Sequence, residues 1–172
     1  MTLEEAVEIC KQSFLSGWDL VEYAQSFVNK NMAYSYDNSF DMPTKAFKRG
    51  RGYCWQRAKS LQKILNDLGF ECHCVYAAKN QMPETQFEGI IVKAHISGHV
   101  WCRVTIGEII KDVCSGNLNN KPGIVHFTPL STIRKWNCFV SFWAYWVSAY
   151  LNHKRLKEIR RRQAQAICSV HL

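Results

Sequence analysis

The sequence shows little at its start that reads as a leader: it opens Met1-Thr2-Leu3-Glu4-Glu5, with neither a basic start nor an apolar stretch behind it. No signal peptide is expected from such a start. A membrane-length apolar run is missing too. The longest, Trp136 to Leu151, has 16 residues and is interrupted by Asn137, Ser141 and Ser148, whereas a bilayer span needs about 20. Internal repeats and low-complexity tracts are absent, and 172 residues fit one domain with one core. Cys72-His73-Cys74 has no second Cys-x-x-Cys pair, and on a strand residues 72 and 74 face one way and 73 the other. A zinc site is therefore not expected, nor any other cofactor.

What is present is apolar mass and an uneven positive charge. Hydrophobic residues make up 47% and aromatics 13%, enough for a core without disulfides or metal. Of the net +8, the stretch Lys154 to Arg162 supplies +5. The rest of the chain is only mildly basic, so neither nucleic acid nor a membrane is an expected partner. There are eight cysteines. Without a leader, the expectation is a reducing cytoplasm in which most of them are small buried hydrophobes.

The spacing of apolar residues predicts an α+β domain. Thr2 and Glu5 form a capping box for a helix that Gly17 ends, and a second helix runs from about Asp19 to Asn29. Asn31 to Gly52 reads as a long loop. A third helix starts near Tyr53 and ends at Gly69, a C-terminal glycine cap. From Glu71 the period becomes two, and an antiparallel meander follows. A polar loop is expected over Asn80–Gly89, then strands near Ile90–Ile96, His99–Ile106 and Ile109–Cys114, with turns at Ser97-Gly98 and Ile106-Gly107. Pro129 suits the first turn of a long C-terminal helix. The expected organisation is N-terminal helices over 1–30, a core over 31–128 and an aromatic, basic C-terminal helix over 129–172.

Gly50-Arg51-Gly52-Tyr53-Cys54-Trp55-Gln56 places a cysteine at a helix start. The partial positive charge and free N–H groups there favour thiolate, the nucleophilic form, and can bind a developing oxyanion. A nucleophile needs a base, and the base an orienting acceptor. His99 opens a strand 45 residues on, and Asp112 lies on the next. With Ile106-Gly107 as the turn, Trp101 falls opposite Asp112 and His99 sits two positions along, about 7–8 Å away on the diagonal.

Gly52-Tyr53-Cys54 opening a helix, His99-Val100-Trp101 on a strand and Asp112 on the next resemble the transglutaminase-like superfamily. So do the helix from Cys54 to Gly69 and the strand from Phe70 to Ala77. The resemblance covers about Tyr34 to Cys114. It implies a helix packed on an antiparallel sheet and a papain-like triad of Cys54 as nucleophile, His99 as base and Asp112 as orienter. It also implies acyl chemistry at amides or esters, as peptide hydrolysis, amide deamidation or transfer to an amine, with hydrolysis of a peptide or other amide-containing substrate as the expected reaction. Arg51-Gly52-Tyr53-Cys54 also resembles the cysteine motif of arylamine N-acetyltransferases, whose chains are longer.

Each residue has a plainer reading beside this one. Cys54 could be a core cysteine, His99 a satisfied histidine and Asp112 an edge carboxylate. Tyr53, Trp55, Gln56 and Trp101 flank the site as candidate substrate contacts, although the solvated helix surface is the stronger expectation for Gln56. Trp136, Phe139, Trp143, Trp146 and Tyr150 form an aromatic stripe. It is expected to pack as core, with a protein partner or self-association as the alternative, and the basic run after it as a solvated helix end. The second functional class is a non-catalytic binding or scaffold module.

Overall fold

Helix ends explain the first part of the fold. The computed structural model describes residues 1–87, 90–137, 139, 142–143, 146–147, 150–158 and 160–161. In α1 (Leu3–Gln12) the Thr2 hydroxyl accepts from the Glu5 N–H at 3.2 Å, and Glu5 accepts from the Thr2 N–H at 2.8 Å. Gly17 does not end this helix. Phe14, at φ 56°, takes the left-handed turn, and Gly17 opens α2 (Gly17–Asn31).

The stretch expected as a loop holds regular structure. β1 (Ala33–Tyr34) pairs in parallel with β2 (Arg51–Gly52), and α3 (Pro43–Arg49) lies between them. Pro43 presets the first helical turn, Ala46 and Phe47 are buried, and Gly50 closes the helix at φ 74°. α4 (Cys54–Asp67) starts on the cysteine, and Gly69 at φ 91° follows it.

The sheet is built on a long hairpin. β3 (Glu71–Met82) and β6 (His95–Ile106) are antiparallel, with Cys74 opposite Cys102 and a bulge between Ala77 and Asn80. The bulge sets Ala78 and Lys79 of β3 against Gly98 alone and Ser97 pairs with Asn80, so β6 runs through where a turn was expected. The expected polar loop is the end of β3 plus a small hairpin, β4 (Thr85–Phe87) with β5 (Ile90–Val92). β7 (Ile109–Val113) pairs with β6. β8 (Thr128–Pro129) and β9 (Arg134–Lys135) pair with β3. Pro129 therefore lies in a short edge strand, where its missing N–H is tolerated, and not in a helix. Among the described residues the order is β7-β6-β3-β8, with β9 also on β3.

One face of this sheet carries α4. Ala58, Leu61, Ile64 and Leu65 pack against Cys72, Cys74, Val100, Cys102 and Val104, and α1 and α2 join the same core. The Cys102 thiol donates to the Ala58 carbonyl at 3.1 Å. The aromatic stripe does not pack as core. Phe139, Trp143, Trp146 and Tyr150 are 76%, 61%, 55% and 68% exposed. The C-terminal helix docks instead through buried Asn152, which donates to Ser39 at 3.1 Å. The basic run is partly engaged: Arg155 donates to the Tyr36 hydroxyl at 3.3 Å and Arg160 to Asp37 at 3.3 Å. Trp136 does pack inward, against Trp55 and Tyr76. Cys138 and Cys168 lie outside the described residues. Among those described, no helix is long and apolar enough to cross a membrane.

Gln56 is fully buried and not a surface residue. Its amide donates to the carbonyls of Asn38 at 3.2 Å and Asp41 at 2.8 Å, and its carbonyl accepts from the Tyr53 N–H at 3.2 Å. Gln56→Ala would leave these backbone groups unpaired and open a void. A loss of about 2–4 kcal/mol is expected, read as a lower urea midpoint.

Candidate active site

Tight backbone passage sets the position of Cys54. A Cβ on Gly52 would stand 2.4 Å from Met32 Cε and 2.8 Å from Gln56 Oε1, so only glycine lets the chain turn into α4 here. The sulfur of Cys54 then meets the N–H groups of Val100, Trp55 and its own residue, all of which favour the charged form. Burial outweighs them and pushes the thiol up from its ordinary value. The expected thiolate is thus not the resting form, because desolvation exceeds what the helix end supplies.

His99 lies at the bulged end of β6. Its ring packs on Phe127 at 4.5 Å between centroids and stacks with Trp101 at 6.1 Å. Its Nε2 meets Cys114 Sγ at 3.4 Å, and that sulfur accepts the Gly116 N–H at 3.3 Å. Burial, then the nearby His126 and Arg57, hold His99 down to about 3. Burial pushes the Cys114 thiol up to about 12. Burial, then Arg57, lowers His126 to about 4.

Asp112 is not brought to His99. The hairpin turns through Gly107-Glu108, so Ile106 pairs with Ile109 and Arg103 stands opposite Asp112. The expected turn was one residue earlier, which would have put Trp101 there. The four residues from Arg103 back to His99 span about 13 Å along the strand, too far for a carboxylate to cross. Asp112 forms a two-pronged ion pair with Arg103 instead, at 2.8 and 3.3 Å.

Cys54, His99, Arg57, Trp101, Cys114 and Tyr34 line a single cavity of about 10 Å³. That is scarcely one water molecule, so no substrate fits without movement. Arg57 is 4% exposed and donates to the Ser115 carbonyl. It is a buried cation three residues after Cys54, on the same side of α4. Of the expected substrate contacts, Trp101 lines the cavity. Tyr53, Trp55 and Gln56 are buried at 3%, 8% and 0% exposure and form no open groove. Arg57, Cys114 and His126 were missed in the sequence. The signal for Arg57 was a cation on the helix stripe of Cys54. For Cys114 it was a residue two beyond Asp112 on the same strand face. Nothing in the sequence pointed to His126. Among the described residues, no group of three or more His, Cys, Asp or Glu side chains is placed to hold a metal.

The two histidines make stability pH-dependent with a definite sign. Unfolded, each takes up a proton as pH falls through about 6.5, while folded they do so only near 3 and 4. Their contribution is complete above pH 6.5 and is lost as pH falls towards those values. The slope is about 1.4 kcal/mol per pH unit for His99 and less for the more exposed His126. Urea midpoints should fall between pH 6.5 and 5, and His99→Gln should flatten that fall.

Comparison with known proteins agrees with this architecture. The chain matches the transglutaminase-like superfamily over residues 9–113, from α1 through β7. It is similar in fold to the crystal structure of a TGase, at 14% identity and a TM-score of 0.50, over 69% of this chain and 31% of that one. It therefore spans about a third of that structure's length. No curated protein matches it. With more than half of its length matched, the chain belongs to the transglutaminase-like superfamily, whose members generally carry out cysteine-dependent acyl transfer or hydrolysis.

Proposed function

We propose that the protein is a thiol-dependent acyl-transfer enzyme that hydrolyses a peptide or other amide bond, with Cys54 as nucleophile and His99 as base. The observation that carries this reading is one cavity holding both side chains at the first turn of α4. Among the six described thiols Cys54 alone is not fully buried. Nε2 of His99 is engaged with Cys114, which leaves Nδ1 for the thiol proton. In the reaction the Cys54 proton moves to Nδ1 as the sulfur bonds to the acyl carbon. The carbon–nitrogen bond breaks, and the amine leaves with that proton. Water then attacks the thioester, giving up a proton to His99, and returns the free thiol and a carboxylic acid. N–H groups at the start of α4 receive the oxyanion.

A raised thiol and a histidine near 3 make the first proton transfer steeply uphill while the cavity is closed. Substrate entry and hydration of the site are therefore part of the proposed cycle. The closed cavity also favours a second reading, a binding or scaffold module without turnover.

Turnover of p-nitrophenyl acetate separates the two. The enzyme reading expects steady p-nitrophenol release, abolished by Cys54→Ser and reduced about 10²–10⁴-fold by His99→Ala. It also expects iodoacetamide to modify Cys54 ahead of Cys10, Cys72, Cys74, Cys102 and Cys114, by peptide mapping. Release that persists unchanged in Cys54→Ser, or Cys54 reacting no faster than those five, would sink it.

A further inference from the structure

We propose that Cys114 is the positioning residue of His99, so that in this chain a neutral thiol stands where the base would otherwise meet a carboxylate. The inference rests on the reading of Cys54 and His99 as nucleophile and base. Three independent placements carry it. The Gly107-Glu108 turn pairs Val113, the last residue of β7, with Cys102, so that Cys114 follows directly into the cavity that His99 lines. The Nε2 of His99 lies 3.4 Å from Cys114 Sγ. Asp112, the carboxylate of β7, is committed to Arg103 on the same strand as His99 but four residues away.

The surroundings fix the sulfur as firmly as they fix the ring. The Gly116 N–H donates to it at 3.3 Å. A Cβ on Gly116 would stand 3.1 Å from the sulfur and 2.6 Å from His126 Cε1, so the loop closes on it without slack. The buried Asn120 donates to the Cys114 carbonyl at 2.8 Å and lies 3.0 Å from His126 Nδ1. Gln25 of α2 in turn donates to the Asn120 carbonyl at 2.6 Å. Cys114 is thus held from the helix layer as well as from the sheet.

A thiol at this place has a chemical consequence. A carboxylate only accepts, so it forces the neighbouring ring nitrogen to carry the proton and stabilises the imidazolium that forms. A thiol is both a weak donor and a weak acceptor. With Nε2–H donating to sulfur, Nδ1 keeps its lone pair and His99 can act as a base. With S–H donating to Nε2, Nδ1 carries the proton and cannot. Neither arrangement supplies a counter-charge. The other groups that face His99 supply none either: Arg57 of α4 and His126 disfavour a further positive charge, and Cys54 and Tyr34 line the same cavity uncharged.

The test reads the titration of His99 in isotope-labelled protein by NMR, with ester hydrolysis against pH as the second measure. In the native chain His99 should stay neutral down to pH 5. Cys114→Asp should raise its midpoint by about 1–3 pH units and shift the acidic limb of the rate profile the same way. Cys114→Ser, nearly isosteric, should keep His99 neutral with hydrolysis within a few-fold of native, whereas Cys114→Ala should lower kcat more than it raises KM. Asp112→Asn should leave the His99 titration where it is. The proposal falls if Asp112→Asn moves that titration, or if Cys114→Asp folds and does not. Should Cys114→Asp fail to fold, Cys114→Ser and Cys114→Ala decide it: equal hydrolysis and equal His99 spectra in both overturn the proposal. If the native chain has no ester turnover, the catalytic reading fails while the titrations still report whether Cys114 holds His99.

Discussion

Everything around His99 depends on the register of one hairpin. Gly107 carries a left-handed φ of 58° and Glu108 does not, which is the pattern of a two-residue turn with glycine first. It locks Ile106 to Ile109 and so assigns every partner along β6 and β7. One step of the turn moves each pairing by two residues, which preserves the face of every side chain and changes its neighbour. Hydrophobic alternation cannot detect such an error, because both registers bury the same residues. The consequence is chemical and not structural: a carboxylate is replaced by a thiol at the imidazole.

The same distinction marks what was legible in the sequence. The start of α4 at Cys54 and its end before Gly69 were readable because local capping and glycine chemistry decide them. The strand character of β3 was readable from its period of two, but its pairing along the whole of β6 was not, because Ser97-Gly98 reads as a turn and is continuous strand instead. That Cys54 and His99 share a cavity was an expectation of the resemblance carried by Gly52-Tyr53-Cys54 and His99-Val100-Trp101, not of the periodicity. Features set by distant contacts were not readable. Pro129 becomes a strand residue because an edge of β3 is open to it. Gln56, polar and near a helix start, is buried because the Asn38–Asp41 loop needs its amide. The aromatic stripe reads as core by its spacing. In the fold Asn152, Arg155 and Arg160 make polar contacts with the body, Trp136 packs inward, Trp146 meets Phe40 edge-on at 5.7 Å, and Phe139, Trp143, Trp146 and Tyr150 stay more than half exposed.

Dryness is the other constraint, and it cuts against reactivity at rest. Burial is the largest influence on Cys54, His99 and Cys114, and each is driven to its neutral form. Arg57 remains the buried cation beneath them, its own value lowered by desolvation. A closed site of this kind stores no ion pair; it depends on an opening that readmits water or substrate. The structure shows what such an opening would have to disturb. Tyr34 stands at the cavity and meets Tyr36 edge-on at 5.4 Å, and Arg155 of the C-terminal helix lies over the Tyr36 ring at 5.8 Å. Arg155 also favours the charged form of Cys54, so its withdrawal would remove a favourable charge from the thiol. Hydration therefore has to contribute more than that charge does if the site is to become reactive.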